Sequence, residues 1–516
     1  MNQEYIYILK QFAPEAVLTA LGLFVLAIDL LLPKRHSRQA LVLLAALGGL
    51  SAATQAALHW LQADGMPPAL LAGVLLPDGS PHTAALLAHP ALAVWSLFAV
   101  DRFADAFKVI FSLALALVLL LSTRYPVEKY RGEFAALLLF ATVGLMIMVN
   151  SRDLVVLFLG LELASLCLYA LASWHKEDAR SAEAGTKYLL LGSLASALYI
   201  YGASLLFVKY GSTNLHTLAQ ASSSSPLLLV GMLLLFVAFA FKIAAAPFHL
   251  WAPDVYQGAP TSVTAFLSTA SKAAGFAVLI RVLALGFSVL SGQWGVLLAM
   301  MAALSVLVGN LVAVHQNNVK RMLAYSGIAQ AGYLLIGVTA LGLGKLHGNP
   351  EHQALGVTAV VLYLFLYTLG NIGAFAITGI VARETQSEEM SAFAGLRTRA
   401  PLLAFTMILL LLSLGGIPLL AGFVGKWFLF MSGVLEGQYL LVLLAAAMSV
   451  VSIYYYLLIV KQMYIIPATE HATPIRVGGL AALGLFIIVA MTVALGVYPG
   501  PFLDLAQQTA HALLGM

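Results

Sequence analysis

Five ionisable residues stand in stretches otherwise built from aliphatic and aromatic side chains. They are Glu162 in LFLGLELASLCLYAL, Lys187 in AGTKYLLLGSL, Lys242 in AFAFKIAAAPFHL, Lys272 in STASKAAGFAVLI and Lys426 in AGFVGKWFLF. A lysine near the middle of a membrane costs roughly 2.5–3.5 kcal/mol on insertion scales, so four unpaired ones would cost on the order of 10–14 kcal/mol. Such residues must face a protein interior, paired or hydrated. Desolvation and a neighbouring carboxylate act in opposite senses on a buried ammonium group's hold on its proton. A partner that changes distance therefore loads or unloads that proton, which is the elementary step of a proton relay. Two bland readings stand beside this one: Lys187 lies close enough to a helix end to extend its amine to the interface, and the others can form purely structural ion pairs.

Histidines offer weaker chemistry. His249, in PFHLW, either passes protons or bonds an exposed carbonyl, and His315, in NLVAVHQNNVKRMLAYS, either ends a second relay or marks a helix C-terminus. The run Tyr454-Tyr455-Tyr456 reads as packing or an interface belt rather than a cofactor box. Cys167, the single cysteine, reads as an apolar filler, and it excludes disulfides, cysteine zinc sites and iron–sulfur clusters within this chain. No P-loop, dinucleotide fingerprint or HExxH is present.

These residues need spans to hold them. The chain of 516 residues is 61% hydrophobic and 9% charged, where a soluble domain carries about 25% charged residues. It is an all-α polytopic membrane protein. The net charge of +4 lies in short loops, so no nucleic-acid footprint is expected. At about 20 apolar residues per crossing the sequence predicts about 14 spans: 14–32, 40–61, 105–122, 132–150, 153–173, 184–208, 226–247, 261–285, 294–314, 321–343, 353–381, 401–430, 437–463 and 475–498. The first run lacks a basic flank and reads as a spanning helix rather than a cleaved signal. Segment 62–104 reads as a loop with a short hairpin.

Cations test the count. Loops after odd-numbered spans hold about 15, Lys320 among them, against about 6 near even-numbered ends, where Lys108 and Arg281 are counted. The positive-inside rule then places odd loops, including His315 to Arg321, in the cytoplasm and both termini outside.

Two spans carry breaks, at Pro247-Phe248-His249 and at LSLGGIPLLAGFVGK with Gly415, Gly416 and Pro418. Interrupted spans at matching places in two halves signal discontinuous helices of an inverted repeat, here spans 4–8 and 9–13. Carbonyls freed at a break are tolerable only beside a cavity, so break and lysine share one wet, buried site. The division expected is 1–131 for three N-terminal spans with an extracytoplasmic loop, 132–285 and 286–463 for the repeats, and 464–516 for the last span and tail. Two further expectations follow: Glu162 and Lys242 form a coupled ion pair, and Lys242, Lys272 and Lys426 share one depth along a continuous polar axis.

The stretches FKIAAAPFHLWAPDVYQGAPTSVTAFLSTASK, NNVKRMLAYSGIAQAGYLLIG and GGIPLLAGFVGKWFLF together closely resemble the proton-translocating antiporter-like family. Its members are large membrane-arm subunits of respiratory complex I and subunits of multi-protein sodium/proton antiporters. The resemblance covers roughly residues 125–465. Lysine in the twelfth span and the opening run PEAVLTALGLFVLAIDL resemble the complex I branch. The resemblance implies that Glu162 matches the fifth-helix glutamate paired with the seventh-helix lysine, Lys242. It implies further that Lys272 matches the central eighth-helix lysine, that Lys426 matches the twelfth-helix lysine toward the outlet, and that Lys187 matches a sixth-helix lysine. It implies a translocase subunit without a redox centre of its own, in a complex that binds NADH, FMN, iron–sulfur clusters and quinone elsewhere. Its partners would be other membrane-arm subunits, the lipid bilayer and protons, in a bacterial inner membrane. A stand-alone cation/proton antiporter subunit and a non-pumping scaffold are the competing readings. Four intramembrane lysines argue against the scaffold.

Overall fold

The structure is a computed structural model, and it describes residues 10–31, 39–62, 96–122, 131–220, 225–468 and 473–516. Among these, thirteen helices are long and apolar enough to cross a membrane. They are α1 (Ala13–Leu31), α2 (Gln39–Gln62), α3 (Arg102–Leu121), α4 (Arg131–Asn150), α5 (Leu154–Ala172), α6 (Ala179–Tyr210), α7a (Pro226–Ile243), α8 (Thr261–Gly286), α9 (Ser288–Ala313), α10 (Val319–Leu346), α11 (Pro350–Thr385), α13 (Tyr439–Tyr464) and α14 (Gly479–Val497). The twelfth crossing is made by two shorter helices, α12a (Pro401–Gly415) and α12b (Ala421–Leu435). Among the described residues the predicted count of about 14 spans is therefore met. In the tail the chain adds α15 (Gly500–Leu514), which packs on α3 and α11 and receives the Trp60 indole N–H at Thr509 Oγ1, 3.2 Å. The hairpin expected in 62–104 falls mainly in 63–95, outside the described residues.

Helix starts follow local chemistry. Asp101, Asp153, Asp178, Ser225, Asn318 and Asn349 each accept a backbone N–H in the first turn of the helix that follows. Lipid offers no other partner for those groups. Large apolar side chains, such as Leu190, Leu194, Leu440 and Phe486, lie exposed on the outer helices. Helices α8, α10 and α11 are the most enclosed.

Both expected breaks are present. Helix α7a ends at Ile243 with Ala244 in the left-handed region (φ 55°), and α7b (Trp251–Gly258) resumes beyond it. Helix α12a ends with Gly416 at φ 88°, a conformation that glycine adopts without a steric penalty. Each break folds its last turn alike: Ala244 N–H reaches Ala240 and Phe241 carbonyls, as Gly416 N–H reaches Leu412 and Ser413.

Short backbone bridges reveal the repeat. Before α5, Leu154 N–H bonds Thr213 O and Leu215 N–H bonds Arg152 O. Before α10, Val319 N–H bonds Glu388 O and Met390 N–H bonds Asn317 O. One bridge joins the start of α5 to the end of α6, the other the start of α10 to the end of α11. Five crossings separate the two, so they lie on opposite membrane faces and the repeats are inverted.

Three cations expected in loops are buried instead, because each found a partner inside. Arg281 forms a bidentate pair with Asp101, 2.7 and 2.8 Å. Burial opposes ionisation of Asp101, but the guanidinium wins and holds its carboxyl below the ordinary range. Lys108 meets Glu15 at 2.9 Å and Asp105 at 3.6 Å within the first three spans. Lys320 bonds Glu388 at 2.9 Å and two carbonyls, Gln257 O and Ala259 O. With these removed, the cation bias keeps its direction.

Candidate proton-relay site

Lys242, Lys272 and Lys426 are 5%, 2% and 3% exposed, and among the described residues none has a carboxylate within 4.0 Å. Lys242, at the last turn of α7a, donates to Ser165 Oγ at 3.0 Å. Glu162, half-buried one turn earlier on α5, accepts a hydrogen bond from Ser196 of α6. The expected Glu162–Lys242 contact is therefore not direct. Ser165 receives the Lys242 ammonium instead.

Lys272 follows a π-helical turn, Leu267–Ser271, in α8. Such turns shift the register of a helix and frequently mark functional positions. Its ammonium donates to Gly327 O at 2.5 Å and lies 5.6 Å from the centre of the Tyr367 ring. Lys426, in α12b, donates to Gly415 O at 3.0 Å and Ser449 Oγ at 2.9 Å, over the Tyr333 ring at 4.8 Å. Here the sequence argument about breaks is met directly, since a carbonyl freed at the end of α12a receives the lysine. At the α7 break the groups are satisfied otherwise: Trp251 Nε1 bonds Phe241 O at 3.0 Å, and Ala246 N–H bonds Ser305 Oγ at 2.9 Å.

Separate hydrogen-bonded groups of buried polar side chains lie between Lys272 and Lys426. Asn371 donates to Tyr367 OH at 3.0 Å and to Ser268 Oγ at 2.7 Å. Ser326, next to Gly327, meets Tyr456 OH at 2.5 Å. Gln330, one turn along α10, accepts from Tyr363 OH and donates to Leu414 O at 3.2 Å, adjacent to the carbonyl that holds Lys426. Asn310 donates to Tyr333 OH at 3.1 Å and accepts from Tyr455 OH at 3.2 Å. Among the described residues no side-chain hydrogen bond joins these groups to one another, and none links Lys242 to Lys272. The Lys242 stem packs 3.5 Å from the Cβ position of Gly275, while the buried Tyr188 hydroxyl has no hydrogen-bond partner.

Lys187 lies elsewhere. Its side chain is 40% exposed and pairs with Asp254 at 2.5 Å and Glu183 at 2.6 Å. Asp254 also binds Arg321 at 2.6 Å, joining α6, α7b and α10 at one membrane face. Beside this ledge a polar cavity of about 530 Å³ is lined by His175, Asp178, Gln257, Lys320 and Glu388. His249 is half-buried with its Nδ1 unpartnered. His315 is exposed and contacts Leu311 O at 3.1 Å, the helix-end alternative.

Sequence reading missed the uncharged half of the site. Two patterns carried the signal: Ser326, Gln330 and Tyr333 on α10, and Tyr363, Tyr367 and Asn371 on α11, each at helical spacing inside apolar spans. The tyrosine run splits. Tyr454 is 56% exposed and fits a belt, whereas Tyr455 and Tyr456 are buried among these polar groups.

Fold and site together define a polytopic helical protein with two inverted repeats, each broken at one crossing, and a row of buried ammonium groups. Residues 151–452 match the family model described as NADH:quinone oxidoreductase/Mrp antiporter, transmembrane. The chain belongs to this family. It is 41% identical to NADH-quinone oxidoreductase subunit N of Desulforamulus reducens, over 97% of this chain and 98% of that protein. A chain of respiratory complex I from Thermus thermophilus is 32% identical, with a TM-score of 0.75, covering 96% of this chain and 99% of that one. A chain of an archaeal membrane-bound sulfane sulfur reductase is 25% identical, with a TM-score of 0.82 and 97% coverage of both.

Proposed function

We propose that the chain is a proton-translocating membrane-arm subunit of an NADH:quinone oxidoreductase, in a bacterial inner membrane, with other membrane-arm subunits as its partners. NADH, FMN, iron–sulfur clusters and quinone belong to the rest of that complex, and electron transfer there drives proton movement here. In this reading both termini are extracytoplasmic. Residues 132–285 and 286–463 are the two working repeats, flanked by 1–131 and 464–516. The observation that carries the reading is the set of buried polar side chains between Lys272 and Lys426, with Tyr367 and Asn371, Ser326 and Tyr456, and Gln330 and Tyr363 hydrogen-bonded in pairs. A scaffold would pack at lower cost with apolar residues in these places.

In the relay, the cavity beside Lys187, Asp254 and Arg321 supplies water on the cytoplasmic face. Lys187 positions Asp254 there. Glu162 with Lys242 forms the first loading pair, and movement of the Glu162 carboxylate toward or away from Ser165 changes the hold of Lys242 on its proton. Lys272 receives the proton next. The step requires water near the unpartnered Tyr188 hydroxyl, since a buried polar atom with room beside it is where an ordered water binds. Lys426 is the last lysine. His249 and His315 stand at the margins, His249 as a proton-passing group near the α7 break and His315 at the cytoplasmic end of α9. The test is Lys426→Ala in the assembled complex in proteoliposomes. Proton flux per quinone reduced should fall while the complex remains assembled, and unchanged flux would overturn the proposal.

A further inference from the structure

Ten residues beyond Lys426, at the end of α12b, stands Glu436 with its side chain fully buried. A carboxylate at a helix C-terminus faces the negative end of the helix dipole and gains nothing from it. Two imidazoles offset this. His347, capping α10, meets Glu436 Oε2 through Nδ1 at 2.7 Å, and His352, in the first turn of α11, meets Oε1 through Nδ1 at 2.7 Å. Both side chains reach the surface, 56% and 28% exposed. Each ring therefore joins a buried carboxylate at one nitrogen to the outside at the other. Beside them the Gln438 amide buries both polar atoms without a partner, a place where water is needed to complete the hydrogen bonding. Lys345 and Glu351 are the other charged residues on these helix ends.

Lys426 and Glu436 share one buried stripe of α12b, with Leu429, Ser432 and Gly433 between them. Ten residues of helix rise about 15 Å. Around Gly433 the interval is closely packed with apolar groups: a Cβ there would meet Ile336 at 2.7 Å and Val442 at 2.8 Å. A proton crosses it only when water enters, which makes the interval a barrier rather than an open path.

We propose that Glu436, with His347 and His352, is the group that releases protons leaving Lys426 to the face where α10 ends. This inference rests on the relay reading above. Lys426 gives up a proton through transient water, and Glu436 takes it to become the carboxylic acid. Its O–H then protonates Nδ1 of a ring that carries its own proton on Nε2, giving carboxylate and imidazolium. The imidazolium loses the Nε2 proton to outside water and is left donating from Nδ1 to Glu436. It resets for the next proton when the surface-reaching ring swings outward, gives its Nδ1 proton to outside water and takes one from water at Nε2.

The experiment compares parent, Lys426→Ala, Glu436→Gln and the double variant His347→Ala/His352→Ala as assembled complexes in proteoliposomes, scoring membrane potential generated per quinone reduced. Glu436→Gln should assemble and lose most of the potential generated per turnover. The histidine double variant should lose a comparable share and regain part of it with imidazole in the lumen, which a merely structural clamp does not allow. Loss in Lys426→Ala with parental values in Glu436→Gln, or in the double variant should Glu436→Gln fail to assemble, would sink the outlet and leave the relay standing. Parental values in Lys426→Ala would sink the relay itself.

Discussion

The ammonium of Lys272 ends on the carbonyl of Gly327, 2.5 Å away, and Gly327 holds in the second repeat the place that Glu162 holds in the first. The equivalence comes from the two backbone bridges: eight residues on from Leu154 is Glu162, and eight on from the matching Val319 is Gly327. Three residues further, Ser165 receives Lys242, and its counterpart Gln330 bonds the carbonyl of Leu414 at the second break. The repeats therefore keep one plan with different chemistry. The first places an acid one turn before the serine that receives its lysine. The second places a backbone carbonyl there.

Gly327 is thus expected to be intolerant of side chains. A Cβ there would stand 3.1 Å from Lys272 Nζ and 3.3 Å from Tyr367 OH. Gly327→Ala should leave the complex assembled with reduced proton flux, and Gly327→Leu should abolish flux. Equal flux in parent and Gly327→Leu would show that Lys272 does not work from this position.

Ser165→Ala removes one hydrogen bond from the Lys242 ammonium, a net loss of about 1.5–3 kcal/mol for a charged group, while Glu162→Ala removes the acid one turn earlier on α5. The alanine at 162 should impair pumping far more than the alanine at 165. Proton flux measured on both variants checks the order, and an unchanged flux in Glu162→Ala would refute the coupling between Glu162 and Lys242.

Much of this was legible in the sequence because membrane burial makes charge conspicuous. Lys242, Lys272 and Lys426 stood out by cost alone, and the breaks at Pro247 and Gly416 by the backbone groups they free. Uncharged polar residues carry no such signal: Gln330, Asn371 and Tyr363 are tolerated in an apolar helix whether or not they conduct. Ion pairs formed between distant segments were also hidden. Lys108 and Arg281 read as loop cations because Glu15 and Asp101, which bring them inside, are far away in the chain.

The Asp101–Arg281 pair anchors α3 to α8, and removing one partner of a buried pair costs about 3–5 kcal/mol. Arg281→Met should lower the thermal denaturation temperature in detergent. The pair's pH dependence follows from the depressed Asp101 carboxyl: its stabilisation is present above the ordinary carboxylate value of about 3.9 and is lost as pH falls through the lower folded value. An Arg281→Met protein as stable as the parent near neutral pH would contradict this role.

Orientation has its own test. Ser391 lies exposed in the short turn after α11, on the face that the cation bias assigns to the cytoplasm. With Cys167 replaced, a cysteine introduced at 391 should react with an impermeant reagent only after the membrane is opened. Labelling from outside intact cells would invert the topology and place both termini in the cytoplasm.

The central claim is that protons pass through Lys272 on their way between the halves of the molecule. Lys272→Met keeps the length and apolar bulk of the side chain and removes the ammonium from Gly327. Proton flux per quinone reduced, measured in proteoliposomes holding the assembled complex, reads the claim directly. The account predicts flux reduced to a small fraction of the parent value with assembly intact, and parental flux in assembled Lys272→Met would contradict it.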